Sequence, residues 1–251
     1  KINGKFYMFN EHGQMLYEWI DNKKVSVGSN AQLDAKRADG SVATAGEMLY
    51  YNVNEEGWRA DGWYQIDGAW YFMNADGSLK QNESFLYDNN LYFVNKSGKM
   101  YQNQWLKWDG NYYYLRSWGG AAHEGWLLLQ NKYYYINEDC TRKTDEAFTY
   151  DNNLYFVDEN GVMPANQWVI REGVWYFTYS WGGARKSQWF YYKNNWYYFN
   201  DDASMQTGWA EIDGKTYYFQ SWGGCVTGTK KIDGTTYVFD KNGVLLSEKE
   251  S

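Results

Sequence analysis

Tyrosine followed by a second aromatic residue recurs at Tyr50–Tyr51, Tyr71–Phe72, Tyr92–Phe93, Tyr113–Tyr114, Tyr134–Tyr135, Tyr155–Phe156, Tyr176–Phe177, Tyr197–Tyr198 and Tyr217–Tyr218. The step is 21 residues and shortens to 20 at the end. A unit of that size cannot bury its own apolar face, so successive copies must stack into one continuous core. The chain is therefore expected to be all-β, a β-solenoid of repeats with its function on a repeated surface.

One copy shows the unit. In Gly62-Trp63-Tyr64-Gln65-Ile66-Asp67-Gly68-Ala69-Trp70-Tyr71-Phe72-Met73, two aromatic and β-branched runs flank Asp-Gly, whose ready positive φ suits a tight hairpin turn. Similar turns are expected at Asp109-Gly110, Asp213-Gly214 and Asp233-Gly234, and at Asn-Asn pairs 89–90, 152–153 and 194–195. A glycine-bearing loop, such as Asn74 to Gly77, then resets the chain for the next hairpin.

A longer period overlies the short one. Tyr87 to Val94 returns as Tyr150 to Val157, Asn103-Gln104-Trp105 as Asn166-Gln167-Trp168, and Trp118-Gly119-Gly120-Ala121 as Trp181-Gly182-Gly183-Ala184, all at an offset of 63. Either three hairpins make one turn of the solenoid, or a three-hairpin block has been duplicated.

Aromatics make up 21% of the 251 residues, which supplies the apolar burial, and there is one proline, Pro164. The mean hydropathy of -0.77 leaves no apolar run long enough for a membrane span. We expect one repeat domain over 1–251, irregular over 1–45 and regular over 46–251, with a hairpin at Ile2 to Phe9 and a degenerate one near 21–44. The first residues already lie inside a repeat, so the chain reads as a fragment of a longer protein. The formal charge of -7, with no basic stripe, argues against nucleic acid. Cys140 and Cys225, 85 residues apart, read as small packing residues rather than a disulfide. His12 and His123 have no nucleophile motif, metal-ligand spacing or phosphate loop nearby, and the Asp201-Asp202 pair lacks the alternating acidic loop of a calcium site. No enzymatic activity, metal or cofactor is expected.

The aromatic pattern divides by strand face. Along the second strand the Tyr71 and Met73 classes fall on one face, assigned to the core, and the Trp70 and Phe72 classes on the other. The Trp70 class varies together with a residue seven positions earlier. Trp63 accompanies Trp70, Trp105 accompanies Tyr112, Trp126 accompanies Tyr133, Trp168 accompanies Trp175 and Trp189 accompanies Trp196, whereas Ser84 goes with Leu91 and Ala147 with Leu154. The five ring pairs are candidate walls of repeated pockets; the alternative is that they pack between adjacent hairpins.

The runs Gly62-Trp63…Trp70-Tyr71-Phe72, Gly125-Trp126…Tyr133-Tyr134-Tyr135 and Gly208-Trp209…Thr216-Tyr217-Tyr218 resemble the cell-wall-binding repeat superfamily, which includes choline-binding modules, glucan-binding repeats and clostridial toxin repeats. The resemblance implies a hairpin solenoid, itself non-catalytic, that anchors a secreted bacterial protein to a surface polysaccharide or glycan, or to choline-bearing teichoic acid. In choline-binding members the two rings of such a pair, with a residue from the next hairpin, form a cation cage. Ser84/Leu91, Ala147/Leu154 and Thr216 depart from that pattern.

The Ser-Trp-Gly-Gly loops at 117–120, 180–183 and 221–224 are specific to this chain. They set Trp118, Trp181 and Trp222 on turns beside paired glycines, as candidate platforms for pyranose rings; the alternative is packing on the neighbouring hairpin. Glycan binding is the favoured function, with choline recognition, or a spacer or self-association element with buried rings, as rivals. An appended catalytic region would have to lie outside this stretch.

Overall fold

The computed structural model describes residues 12–14, 18–21, 49–53, 57–58, 61–66, 68–75 and 77–249. The hairpin expected at Ile2 to Phe9, and all but Asp21 of the irregular stretch near 21–44, lie outside them. Among the described residues every regular element is a strand. The chain gathers into two compact units, Lys1–Glu124 with Glu138–Thr141, and Gly125–Asn137 with Arg142–Ser251.

The first unit opens on a three-stranded sheet of β1 (Glu18–Asp21), β2 (Leu49–Val53) and β3 (Gly57–Trp58). Three separate hairpins follow: β4 (Gly62–Ile66) with β5 (Ala69–Met73), β6 (Glu83–Tyr87) with β7 (Asn90–Val94), and β8 (Gln104–Trp108) with β9 (Asn111–Leu115). The second unit holds β10 (Gly125–Leu129) with β11 (Lys132–Ile136), β12 (Glu146–Tyr150) with β13 (Asn153–Val157), β14 (Trp168–Arg171) with β15 (Val174–Phe177), β16 (Gln188–Tyr192) with β17 (Asn195–Phe199), and β18 (Gly208–Ile212) with β19 (Lys215–Phe219). It closes on a three-stranded sheet of β20 (Gly228–Ile232), β21 (Thr235–Phe239) and β22 (Leu245–Lys249). Each unit is a stretch of all-β solenoid, a stack of hairpins with about 21 residues per repeat.

The hairpin turns are of the mirror-image kind that matches strand twist, with positive φ at both central residues. The Asp-Gly turns fall where the sequence puts them, as at Asp109 (φ 46) and Gly110 (φ 83). The Asn-Asn pairs do not. The turns there are Asp88-Asn89, Asp151-Asn152 and Lys193-Asn194, one residue earlier. Asn90, Asn153 and Asn195 instead open the second strand, each side-chain amide donating to the carbonyl two residues back at 2.7, 2.8 and 3.0 Å. Gln130-Asn131 and Glu172-Gly173 are further turns of the same kind.

Hairpins are joined to one another by single backbone bonds rather than by a continuous ladder. The amide of Met100 donates to the Trp70 carbonyl at 2.9 Å, Met163 to Tyr133 at 2.9 Å, Met205 to Trp175 at 2.7 Å and Cys225 to Trp196 at 2.8 Å. These bonds lay the loop after each hairpin across the preceding one. Packing reaches further: Phe93, Leu115, Ala121 and Cys140 share one core cluster, and Phe156, Ala184 and Ala203 another. Residues 47 apart thus meet within each unit, which supports a turn of few hairpins. Both thiols are free; Cys140 is buried and Cys225 half-buried.

Burial corrects the division of strand faces. Met73, Val94, Leu115, Val157, Phe199 and Phe219 form the inner core as assigned, and Thr178 is equally buried, its hydroxyl bonded to the Gln167 carbonyl at 3.3 Å. The Phe72 class, however, is not on an open face. Phe93, Phe156 and Phe177 are each 1% exposed. The next hairpin lays a ring against this position: Phe72 lies 4.8 Å from Phe85, Tyr135 4.7 Å from Phe148 and Phe177 4.5 Å from Phe190. A two-faced strand in a stack is covered on one face by its own core and on the other by its successor.

Candidate functional site

The strand register explains why the paired rings meet. Trp63 faces Phe72 across β4 and β5, and Trp70 faces Gln65, so Trp70 is the diagonal neighbour of Trp63 on the same face. The equivalent pair Trp168 and Trp175 lies with centroids 6.1 Å apart at 86°, Trp126 and Tyr133 at 6.4 Å and 87°, and Trp189 and Trp196 at 6.4 Å and 85°. Near-perpendicular rings make two walls of a corner rather than a stack.

A third wall comes from the following hairpin. Tyr197 stands 5.1 Å from Trp168, Tyr155 4.9 Å from Trp126, Tyr92 4.9 Å from Trp63, and Tyr217 4.9 Å from Trp189. These tyrosines belong to the class assigned to the core, and they are indeed buried, 8% exposed in each case. Tyr197 and Tyr217 face a cavity as well. Burial first, and then a nearby carboxylate, tyrosine or, at Tyr217, the Cys225 thiol, push their phenols above the ordinary value, so the wall is neutral at pH 7.

The fourth wall is the tryptophan of the Ser-Trp-Gly-Gly loop, two hairpins on. Trp222 meets Tyr197 edge-on at 6.1 Å, Trp181 meets Tyr155 at 5.9 Å and Trp118 meets Tyr92 at 6.0 Å. The paired glycines have separate causes. The first, such as Gly223 at φ 90, takes a left-handed backbone, and a Cβ there would collide with Met205. The second, Gly224, has the loop's own indole folded over it; a Cβ would fall far under the 3.0 Å at which something must shift. Gly120 under Trp118 and Gly183 under Trp181 repeat this. The paired glycines therefore do not leave both ring faces open: one face is covered by the loop, and the indole turns toward the cage while staying about half exposed (Trp118 49%, Trp181 48%, Trp222 47%).

In the second unit these walls enclose a cavity of about 300 Å³ lined by Trp168, Trp175, Tyr197, Met205 and Trp222. A neighbouring cavity of about 340 Å³ is lined by Trp189, Trp196, Tyr217 and Asn242. Asn242 there stands at the loop position that Trp222 occupies one repeat earlier. Trp105 packs edge-on against Tyr114 at 5.3 Å, and its partner Tyr112 carries the Lys107 ammonium 5.4 Å from its ring centre. Trp209 packs on Tyr237 at 4.8 Å, but its partner position is Thr216 and supplies no second ring.

The two members of a pair differ in character. Trp168 is half-buried and also touches Phe177 at 5.1 Å and Tyr192 at 6.1 Å, so packing between hairpins holds part of it. Trp70, Tyr133, Trp175 and Trp196 are exposed, at 38%, 43%, 42% and 48%. The first ring is a packed floor and the second a free wall. Sequence reading missed the specific tyrosines, Met205 and the convergence of the loop tryptophans; the offset of 29 between Trp63 and Tyr92, Trp126 and Tyr155, and Trp168 and Tyr197 is the signal that finds the third wall. Ring faces set at right angles around a cavity attract cations through their quadrupoles, quaternary ammonium groups above all. Among the described residues no group of three His, Cys, Asp or Glu side chains could hold a metal ion.

A family model described as "Putative cell wall binding repeat", of the choline-binding type, matches residues 61–79, 103–121, 187–202 and 207–225. No curated protein matches the chain. Among solved structures, the autolysin LytC from Streptococcus pneumoniae, in complex with a synthetic peptidoglycan ligand, is 27% identical with a TM-score of 0.66, over 80% of this chain and 46% of that one. The chain thus spans less than half the length of LytC. CbpJ from Streptococcus pneumoniae is 24% identical, TM-score 0.73, and choline binding protein F from the same organism 22% identical, TM-score 0.69, each over 98% of this chain and 91% of the other. At those identities the last two speak to the fold alone. Four stretches of the chain thus match choline-binding-type cell wall binding repeats, and the chain folds as a hairpin solenoid like that of the choline-binding proteins.

Proposed function

We propose that the chain is a non-catalytic module that anchors a secreted bacterial protein to the cell wall by closing aromatic cages on the choline groups of a surface polymer such as teichoic acid, and that residues 1–251 act together as one repeat domain. The observation that carries this reading is the cavity walled by Trp168, Trp175, Tyr197 and Trp222 at near-perpendicular angles. The Trp126/Tyr133/Tyr155/Trp181 set repeats its ring contacts, the Trp63/Tyr92/Trp118 contacts recur with Trp70 placed beside them by strand register, and Trp189/Trp196/Tyr217 is a three-ring version closed by Asn242. Trp105 and Tyr112 are assigned to the same role by position. A spacer with all its rings buried is disfavoured by the exposure of Trp70, Tyr133, Trp175 and Trp196.

Each ring contributes roughly 0.5–2 kcal/mol to a cation. Three or four rings then give about millimolar to submillimolar affinity at one cage. Several cages engaging one polymer raise this by about 10² to 10⁴ without new contacts. The test is a choline titration followed by tryptophan fluorescence against a matched salt control. Saturation in the millimolar range, weakened by Trp175→Ala and Trp196→Ala together, is expected; a flat titration sinks the choline reading. Glycan stacking on Trp118, Trp181 and Trp222 stands as the second reading, because about half of each indole is open to solvent.

A further inference from the structure

The cage at Trp168 has a polar neighbour. A second cavity of about 450 Å³ shares Trp175 and Met205 with the cage and also meets Val174 and Tyr176, but most of the rest of its lining is polar, including Asn200, Asp202, Thr207 and Ser221. Its size falls in the range of small-molecule sites, roughly 300–1,000 Å³. The Ser-Trp-Gly-Gly motif feeds both cavities, with Ser221 on the polar cleft and Trp222 on the cage. Trp175 and Met205 are the common wall.

The donor and acceptor set narrows the ligand. Hydroxyls of Ser and Thr donate and accept, an amide does both from separate atoms, and a carboxylate accepts at two oxygens. Asp202 is held in place by Ser204, whose hydroxyl and amide donate to one carboxylate oxygen at 2.6 and 2.9 Å. Those bonds keep the carboxyl below its ordinary range, so it is an ionised acceptor at neutral pH. No Lys or Arg lines the cleft. A phosphate would lie against Asp202 without a counter-charge, and an apolar ligand would leave the polar lining unpaired. A neutral polyol with an apolar ring face meets both requirements, with hydroxyls toward Asp202, Thr207 and Ser221 and carbon faces toward the Trp175 indole.

We infer that this cleft is a carbohydrate subsite that takes one neutral pyranose of a wall polymer while the adjoining cage takes a quaternary ammonium of the same polymer. The inference rests on the proposed wall-anchoring function for the second half of that statement and on the cleft alone for the first. It gives the Asp201-Asp202 loop, which lacks the pattern of a calcium site, a role as a sugar-hydroxyl acceptor.

The test follows the tryptophan indole N–H resonances of the whole ¹⁵N-labelled chain, with the Trp175 signal identified by its loss in Trp175→Phe. Isomaltotetraose and chitotetraose are added in turn at saturating choline. At least one saccharide should move the Trp175 signal saturably, and Thr207→Arg, whose side chain fills the cleft and offsets Asp202, should weaken that response at least fivefold while the choline response of Trp168 is unchanged. Asp202→Asn, which keeps an acceptor for Ser204, should weaken it too. If neither saccharide moves Trp175 although choline binds, or if Thr207→Arg leaves the saccharide response intact, the subsite is refuted. If choline fails to bind and a saccharide still moves Trp175, the cleft stands and the cage reading falls.

Discussion

The second glycine of each Ser-Trp-Gly-Gly loop separates binding from folding. Gly224 has no left-handed backbone requirement, and the atoms a Cβ would meet belong to Trp222. In Gly224→Ala the indole must therefore swing away while the loop backbone stays. Its edge contact with Tyr197, at 6.1 Å, is lost, at about 0.5–1.5 kcal/mol. Against this, the added methyl restricts the unfolded chain and returns about 0.4–1 kcal/mol. The two nearly cancel, so the melting temperature should move by no more than about 2–4 °C. The cage loses one ring, worth roughly 0.5–2 kcal/mol to a cation, so choline affinity at the Trp168 site should fall about two- to thirtyfold. Gly223→Ala is the control. There the backbone is left-handed and Met205 is in the way, so a loss of at least about 1–2 kcal/mol is expected. The assay is the choline-dependent shift of the Trp168 indole resonance beside thermal melting of both variants. Unchanged choline affinity in Gly224→Ala would falsify the fourth wall, and destabilisation equal to that of Gly223→Ala would make the second glycine structural.

The unequal burial of a cage pair predicts unequal variants: Trp168→Ala should cost about 3–5 kcal/mol of stability as well as binding, whereas Trp175→Ala should lose choline affinity with a far smaller change in melting. Denaturant titration of both beside ligand titration distinguishes them, and equal destabilisation would contradict the floor-and-wall assignment. Phe199→Ala empties a fully buried position and should cost about 3–5 kcal/mol, seen as a lower urea midpoint. The Cys225 thiol is pushed up to about 11 by burial and then by Asp240, and the Tyr92, Tyr155, Tyr197 and Tyr217 phenols are raised as well. The folded state therefore keeps protons that the unfolded state releases, so this stability is complete below about pH 8.5 and falls as pH rises through the thiol and phenol ranges; melting temperatures from pH 8 to 11 that stay level would refute it. By the same burial, a disulfide reagent at pH 8 should label Cys225 slowly in the native protein and rapidly in denaturant.

The repeat, the hairpin and the paired rings were legible because each depends on residues close in sequence. Asp109-Gly110 names its own turn, and the seven-residue offset of Trp168 and Trp175 is the span of one hairpin. The Asn-Asn turns were misplaced because Asn serves equally as a left-handed turn residue, as at Asn89, and as a strand-opening donor to the preceding turn, as at Asn90; only geometry separates the two uses. Phe93 and Phe156 were set on the face opposite the core because alternation along a strand cannot reveal that another hairpin covers that face. The loop tryptophans were read apart from the ring pairs for a similar reason: Trp222 and Trp168 are 54 residues apart, and the bond from Met205 to Trp175 that helps draw the intervening loop into place is between backbone atoms, invisible to side-chain pattern.

Each four-ring cage is assembled in one direction along the chain, with its first two rings on one hairpin, its third on the next and its last on the loop that ends the hairpin after that. The array therefore has a polarity, and the number of complete ring sets is not simply its hairpin count. A protein shortened after Gln220 would keep Trp168, Trp175 and Tyr197 and yet lose the Trp222 wall, whereas whole repeats lost upstream of Gln167 would leave that cage's own residues present. Deletions upstream and downstream of a cage are thus unequal events.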